Sequence, residues 1–291
     1  MRVVVDAPAK INLTLNMEGR REDGYHLLSS VFQAISLSDT VTIETTEEQG
    51  IVLSMSDPAL PCDARNTAYK AAQVFFDYTS IAPSVSMYVE KRIPQQAGLG
   101  GGSSDAAGVL VGLNELYATG LSLDTLCMLG EKVGADVPFC IVGGTAMVTG
   151  IGEVIEPLTA LPPCHIVVAK PDVGVSTAEA YRAVDTVETV RADQSAMREA
   201  IENGDMASVG SLLSNAFEQA LAIPEVEELL SAMRTFSPLG CRMSGSGSAV
   251  YALFADASSA SACAHSLSAS VQSYECVPLS RGATVTRKDE I

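Results

Sequence analysis

From Pro94 to Ala107 the chain runs Pro-Gln-Gln-Ala-Gly-Leu-Gly-Gly-Gly-Ser-Ser-Asp-Ala-Ala, four glycines and two hydroxyls set between a β-branched segment (Val85 to Val89) and a helical face. No other stretch constrains the fold so tightly. Glycines allow positive φ and close backbone approach, their N–H groups can converge on an anion, and the following helix directs its positive end at it. That helix is predicted from Ala106, Val109, Leu110, Leu113 and Leu116 on one face, with Ser103 or Ser104 as its cap. The loop lacks Gly-Lys-Ser/Thr and is no Walker A loop, and its spacing does not give Gly-x-Gly-x-x-Gly. A flexible connector before a capped helix is the alternative, against which weigh four glycines ending directly in Ser-Ser-Asp.

Around this loop the order of elements is mixed. Val3-Val4-Val5 and the alternating Ile11, Leu13 and Leu15 predict one strand broken at Pro8, followed by a second at Val31 to Ile35. Val41-Thr42-Ile43 and Ile51-Val52-Leu53 are further β segments. Ala68, Ala71, Ala72, Phe75 and Phe76 fall at helical spacing behind an Asn66 cap, and Ser122 and Gly134 frame another helix. Gly143 to Val148 and Gly152 to Ile155 read as a strand pair. Pro157, Pro162 and Pro163 then mark a boundary between an N-terminal domain, 1–156, and a C-terminal domain, 157–291. Beyond it come a strand (Ile166 to Ala169), helices at Ser195 to Glu202, Met206 to Leu221 and Pro224 to Arg234, and a strand at Ala249 to Ala255. An Ala/Ser-rich helix (Ala257 to Ser270) and closing strands at Cys276 to Leu279 and Ala283 to Thr286 complete the chain. Clean strand–helix alternation is missing, which favours α+β over a doubly wound sheet.

Charge limits the partners. Lys+Arg 18 against Asp+Glu 35 gives a formal net charge of −17, which repels a polyphosphate backbone or an anionic bilayer over most of the surface. Phosphorylated small molecules stay accessible where backbone N–H groups and a few cations make one site positive. The seven cysteines have no Cys-x-x-Cys pair and no histidine spacing suited to zinc, so they read as reduced and mostly as small core residues. No charge-free run of about 18 apolar residues occurs, and Met1, Arg2 and Asp6 do not open a secretory leader. The chain reads as cytoplasmic.

Three further places carry polar groups where chemistry could sit. Lys10 follows Pro8-Ala9 in an otherwise apolar strand and must reach solvent or an anion; a surface lysine lying along its stem is the bland alternative. Asp136, in Gly134-Ala135-Asp136-Val137-Pro138-Phe139, is a turn residue taken alone and a catalytic one in combination with the loop. Asp23-Gly24-Tyr25-His26 is turn-like, and Ser244-Gly245-Ser246-Gly247-Ser248 is either a hairpin turn or a second wall over a phosphate. No Gly-x-Ser-x-Gly elbow and no metalloprotease helix motif is present, which weighs against a hydrolase.

Together these pieces resemble the galactokinase, homoserine kinase, mevalonate kinase and phosphomevalonate kinase superfamily, whose three motifs stand in order at Pro8 to Leu13, Gly98 to Ala107 and Met243 to Ser248. Within it, Asp23 to Leu28, Gly134 to Phe139, Gly143 to Ala146, Gly150 to Glu153 and Val175 to Thr177 resemble the 4-diphosphocytidyl-2-C-methyl-D-erythritol kinases end to end. The resemblance implies a ribosomal protein S5-like N-terminal domain, a ferredoxin-like C-terminal domain, and both ligands in the cleft between them. It implies ATP-dependent phosphorylation of the 2-hydroxyl of that alcohol in the non-mevalonate isoprenoid pathway, with Mg²⁺, by a monomer or weak homodimer. ATP would lie along Pro94, Ala97, Gly98, Leu99, Gly100, Gly101, Gly102, Ser103 and Ser104, with Asn66 and Lys91 near its nucleoside and Ser104 also near the metal. Cytosine would rest between Tyr25 and Tyr181 with His26 at its edge, and Asn12 and Thr177 would hold the sugar alcohol. Asp136 would accept the proton of the attacking hydroxyl, while Lys10 would orient it and offset charge near the moving phosphoryl group. Gln95 and Gln96 stand where that family often has small residues. A homoserine, mevalonate or sugar kinase with the same loop stays open as a second reading, and a non-catalytic binding protein on this fold as a third.

Overall fold

The computed structural model describes residues 1–289. The first half runs β1 (Arg2–Arg20), β2 (His26–Thr45), β3 (Gly50–Met55), α1 (Thr67–Thr79), β4 (Ser84–Glu90), α2 (Gly101–Leu116), α3 (Leu123–Glu131), α4 (Val137–Val142), β5 (Thr145–Thr149) and β6 (Val154–Pro157). The second runs β7 (His165–Lys170), α5 (Thr177–Val184), α6 (Gln194–Glu202), α7 (Met206–Leu212), β8 (Ser214–Asn215), α8 (Ala216–Ala220), α9 (Pro224–Arg234), β9 (Gly240–Met243), β10 (Val250–Phe254), α10 (Ala257–Leu267), β11 (Gln272–Cys276) and β12 (Thr284–Asp289). An eight-stranded sheet has β12-β1-β2-β4-β3 as its main path, with β5, β6 and β8 off it, and a four-stranded antiparallel sheet runs β11-β7-β10-β9.

The α+β expectation is met, and most elements stand where periodicity put them. Four do not. β1 runs through Pro8 without a break, because the ladder shifts register between Pro8 and Lys10, where the missing N–H is tolerated. The segments at Val31 and Val41 fuse into one long β2, held by β1 along one side and by β4 and β5 along the other. The helix expected from Met206 to Leu221 splits, since residues 214–215 pair with β1 and Asn215 Oδ1 accepts the N–H groups of Phe217 and Glu218 to start a new helix. The first closing strand ends at Cys276, shortly before Pro278.

The second closing strand, β12, pairs with β1 and so returns the C-terminus to the first sheet. The cut at residue 157 therefore separates the two sheets except for β8 and β12. Between the sheets lies an apolar layer that joins Ile11 and Leu13 of β1 to Ile166, Val168 and Tyr251, with Ala97 and Leu99 of the glycine loop buried in it. The Tyr251 hydroxyl donates to the Asn12 carbonyl at 2.7 Å, tying β10 to the residues that begin the site.

Candidate active site

The glycine loop is held from both sheets. Lys10 N–H donates to the Leu99 carbonyl at 3.0 Å, and across the interface Ser244 Oγ donates to the Gly98 carbonyl at 2.9 Å. Ala249 N–H reaches the Ala97 carbonyl at 3.2 Å. A Cβ on Gly98, whose φ is +70°, would lie 1.9 Å from the Ser244 carbonyl oxygen, so only glycine fits. The Ser244–Ser248 turn is thus a second wall rather than a free hairpin. Buried Asn215 fixes it, donating from Nδ2 to the Met243 and Gly245 carbonyls at 2.7 and 2.9 Å.

A cleft of about 830 Å³ opens along this loop, bounded by Gly98 to Ser103 on one side and by Ser176, Thr177, Tyr181 and Gly245 to Gly247 on the other. Lys10, Asn12 and Asp136 meet in it. The Lys10 side chain is 5% exposed, its Nζ donating to Asn12 Oδ1 at 2.7 Å and standing 3.6 Å from Asp136 Oδ2 and 4.6 Å from the Phe32 ring centroid. Asn12 Nδ2 in turn donates to Ser30 Oγ at 2.9 Å, which fixes the carboxamide that aims the ammonium. Asp136 stands at the N-cap position of α4 but makes no capping bond with its side chain, which is 32% exposed. It is a carboxylate beside a cation, open to the cleft, with spare acceptor capacity.

Lys91 borders the same cleft in different company. Its ammonium contacts Asp105 of α2 at 2.5 Å and also Asp39 of β2, and its side chain is 9% exposed. Asp39 accepts the N–H groups of Arg92 and Ile93 as well, at 2.5 and 2.8 Å. Burial pushes the Lys91 ammonium down and the two carboxylates more than offset it, so its pKa is raised. Burial dominates at Asp105, followed by the opposing pull of Lys91 and the push of Asp39, and its carboxyl is driven up. Lys91, expected near the nucleoside, borders the cleft with its charge engaged by two carboxylates.

The Ser104 Oγ donates to the Pro8 carbonyl at 2.6 Å, its N–H donates to the Gly100 carbonyl, and the residue is fully buried. Neither Ser103 nor Ser104 caps α2, whose N-cap is Gly100 in the left-handed region, as suits a loop that turns its N–H groups outward. Asn66 caps α1 as expected, accepting from Ala68 N–H at 2.8 Å, and also borders the cleft with Pro94. Gln95 Nε2 donates to Asp57 and Gln96 gives its carbonyl to Ser248 N–H, so both glutamines serve the loop's anchorage.

At the far end His26 lies on Tyr181, with ring centroids 4.6 Å apart and planes at 21°, while Tyr25 is 60% exposed. Phe217 meets Tyr181 edge-on at 5.0 Å, and burial, then the charge of Asp136, push the Tyr181 phenol up to about 12. Thr177 Oγ1 lies 3.2 Å from Ser246 Oγ, joining α5 to the third motif. No local pattern marks Asp39, Asp105 or Asp185, whose partners lie 52, 14 and 159 residues away in the chain. For Asn215 a signal existed, since Asn215-x-x-Glu218 has capping-box spacing.

Family models for the GHMP kinases N terminal domain and the GHMP kinases C terminal match residues 66–144 and 197–272. A 4-diphosphocytidyl-2-C-methyl-D-erythritol kinase of Exiguobacterium sibiricum is 44% identical over 255 residues, covering 87% of this chain and 89% of that one. The chain belongs to the 4-diphosphocytidyl-2-C-methyl-D-erythritol kinase family. A second member, from Geobacillus kaustophilus, is 43% identical over 87% of this chain and 88% of its own. A crystal structure of 4-(cytidine 5'-diphospho)-2C-methyl-D-erythritol kinase superposes with a TM-score of 0.81 at 36% identity, over 96% of this chain and 99% of that one. Homoserine kinase from Cytophaga hutchinsonii, 19% identical with a TM-score of 0.78 over 98% and 97%, shares the fold. Membership in the 4-diphosphocytidyl-2-C-methyl-D-erythritol kinase family makes the chain a kinase, with ATP as the co-substrate its family implies.

Proposed function

We propose that this kinase transfers the γ-phosphoryl group of ATP to the 2-hydroxyl of 4-diphosphocytidyl-2-C-methyl-D-erythritol, the alcohol its relatives are named for, in the non-mevalonate isoprenoid pathway. The observation that carries this is the Lys10–Asp136 pair, 3.6 Å apart in a cleft walled by the glycine loop. Phosphoryl transfer asks mainly for in-line positioning and charge stabilisation. The backbone N–H groups at the start of α2 receive the phosphates, Asp136 accepts the proton of the attacking hydroxyl, and Lys10 holds Asp136 and offsets charge on the moving group. Asn12 and Thr177 hold the alcohol, Tyr25 and Tyr181 offer the aromatic faces for its base, and His26 meets the base at its edge. Ser103, Pro94 and Asn66 border the nucleotide.

Among the described residues no cluster of three His, Cys, Asp or Glu is placed to hold a metal, and the Ser104 hydroxyl is engaged with the Pro8 carbonyl. Magnesium would come with the nucleotide, bound through its phosphates and water, as is usual for this ion. No helix of the described residues is long and apolar enough to cross a membrane. The chain acts on small molecules as a cytoplasmic monomer or weak homodimer, in two domains divided near Pro157. The test is ADP release with ATP, magnesium and a panel of alcohols. Turnover on the cytidine diphosphate alcohol, with little on homoserine, mevalonate or galactose, is expected; the reverse order would move the chain to another branch.

A further inference from the structure

Beside Tyr181 and His26 stands a carboxylate, Asp185, that bonds the imidazole. Asp185, just after α5, places Oδ1 2.6 Å from His26 Nε2, and Arg20 approaches its other oxygen at 3.8 Å. An ionised carboxylate only accepts, so Nε2 carries the hydrogen, and in a neutral imidazole Nδ1 is then a bare acceptor. Nδ1 takes no hydrogen bond from the described residues. Stacking on Tyr181 holds the ring flat, so that edge is presented in one orientation.

We infer that Asp185 is a specificity-determining positioning residue: by holding Nε2–H it keeps His26 Nδ1 an acceptor, and so selects a pyrimidine bearing an exocyclic amine over one bearing a carbonyl. This rests on the cytidine reading above. Cytosine offers its N4 amine as a donor. Uracil offers an oxygen at the same place, which would set acceptor against acceptor and leave both unpaired. A site built to use a substrate N–H rejects an analogue lacking it far better than a stacking shelf alone does. Asp185 would impose this choice without touching the base.

Full-length wild type, Asp185→Asn and Asp185→Ala are assayed at about pH 8.5, where free imidazole is uncharged, on the cytidine diphosphate alcohol and its uridine counterpart. Nitrogen-15 NMR reads the imidazole tautomers, with only three histidines to assign. The wild type should prefer the cytidine alcohol by about 100-fold or more in kcat/KM, with His26 protonated at Nε2. Asp185→Asn, whose amide can donate to Nε2, and Asp185→Ala, which leaves the tautomer free, should each lower that preference about tenfold or more. The change should come through KM for the alcohol, with KM for ATP unmoved. A wild type indifferent to the base overturns the cytidine reading itself. A wild type that prefers cytidine, but shows His26 protonated at Nδ1 or keeps its full preference in both variants, overturns the role of Asp185 alone.

Discussion

Two lysines flank the same glycine loop, and their surroundings differ in one respect that decides what each can do. Lys10 has a single carboxylate at 3.6 Å, itself one-third exposed to the cleft. Lys91 is clasped by two carboxylates, at contact distance and buried. Lys91 links β2, the segment after β4 and the first turns of α2, which are the supports of the loop. A lysine beside a phosphate loop attracts a phosphate best where its charge is least offset by carboxylates. Lys10 meets that condition because Asn12, a neutral acceptor, takes the first of its hydrogens. Lys91 does not, and its cluster carries more negative than positive charge unless a proton joins it.

The comparison breaks most readily at Asp136. Asp136→Asn keeps the shape and removes the proton acceptor, so turnover should fall by about 10²–10⁴-fold, with KM for ATP nearly unchanged. Thermal stability should fall only modestly, since the side chain is partly exposed and caps nothing, and the buried Lys10 ammonium that loses its carboxylate keeps its bond to Asn12. Turnover within a few-fold of wild type would remove Asp136 from the chemistry and make the two clusters equivalent.

The asymmetry between the clusters was not legible in the sequence, although both lysines were. The loop itself was plain, because four glycines before a strong apolar helix have few other uses. Lys10 and Asp136 stood out through one apolar strand and one short turn. Lys91 looked equally suited to a ligand because its partners, Asp39 and Asp105, lie 52 and 14 residues away in the chain and no local spacing connects them. The burial of Ser104 was hidden for the opposite reason. A hydroxyl at the start of a helix is an ordinary cap or phosphate ligand, and only the packing of α2 on β1 turns it toward Pro8. The fused β2 and the split after Leu212 were likewise settled by pairing with β1, a tertiary effect that propensity does not record.

Lys91→Met sharpens the contrast from the other side. It leaves two buried carboxylates without their cation, and removal of one partner from such a cluster costs about 3–5 kcal/mol. Urea unfolding should show that loss, while the turnover of the folded fraction stays within a few-fold of wild type. A variant with intact stability and a much raised KM for ATP would instead make Lys91 a nucleotide ligand, as its place at the cleft first suggested.

The smallest expected effect concerns the proton that balances the Lys91 cluster. Burial is the main cause that drives the Asp105 carboxyl up from its ordinary 3.8 to about 8, and Oδ1 is buried without a partner. Between about pH 4 and pH 8 the folded protein therefore keeps a proton that the unfolded chain has released. The unfolded state binds fewer protons in this window, so this group makes stability fall as pH rises, by at most about 1.4 kcal/mol per pH unit. Lys91, with its pKa raised from 10.5, stays charged throughout and contributes no slope. Asp105→Asn cannot titrate. Unfolding free energies measured every half unit from about pH 5 to pH 8 should therefore fall less steeply in Asp105→Asn than in the wild type. Groups outside this cluster are common to both proteins and cancel in the difference. Parallel curves would mean that Asp105 is ionised in the folded state across this range, and that the cluster beneath the glycine loop carries a net negative charge that its backbone N–H groups must overcome to hold a phosphate.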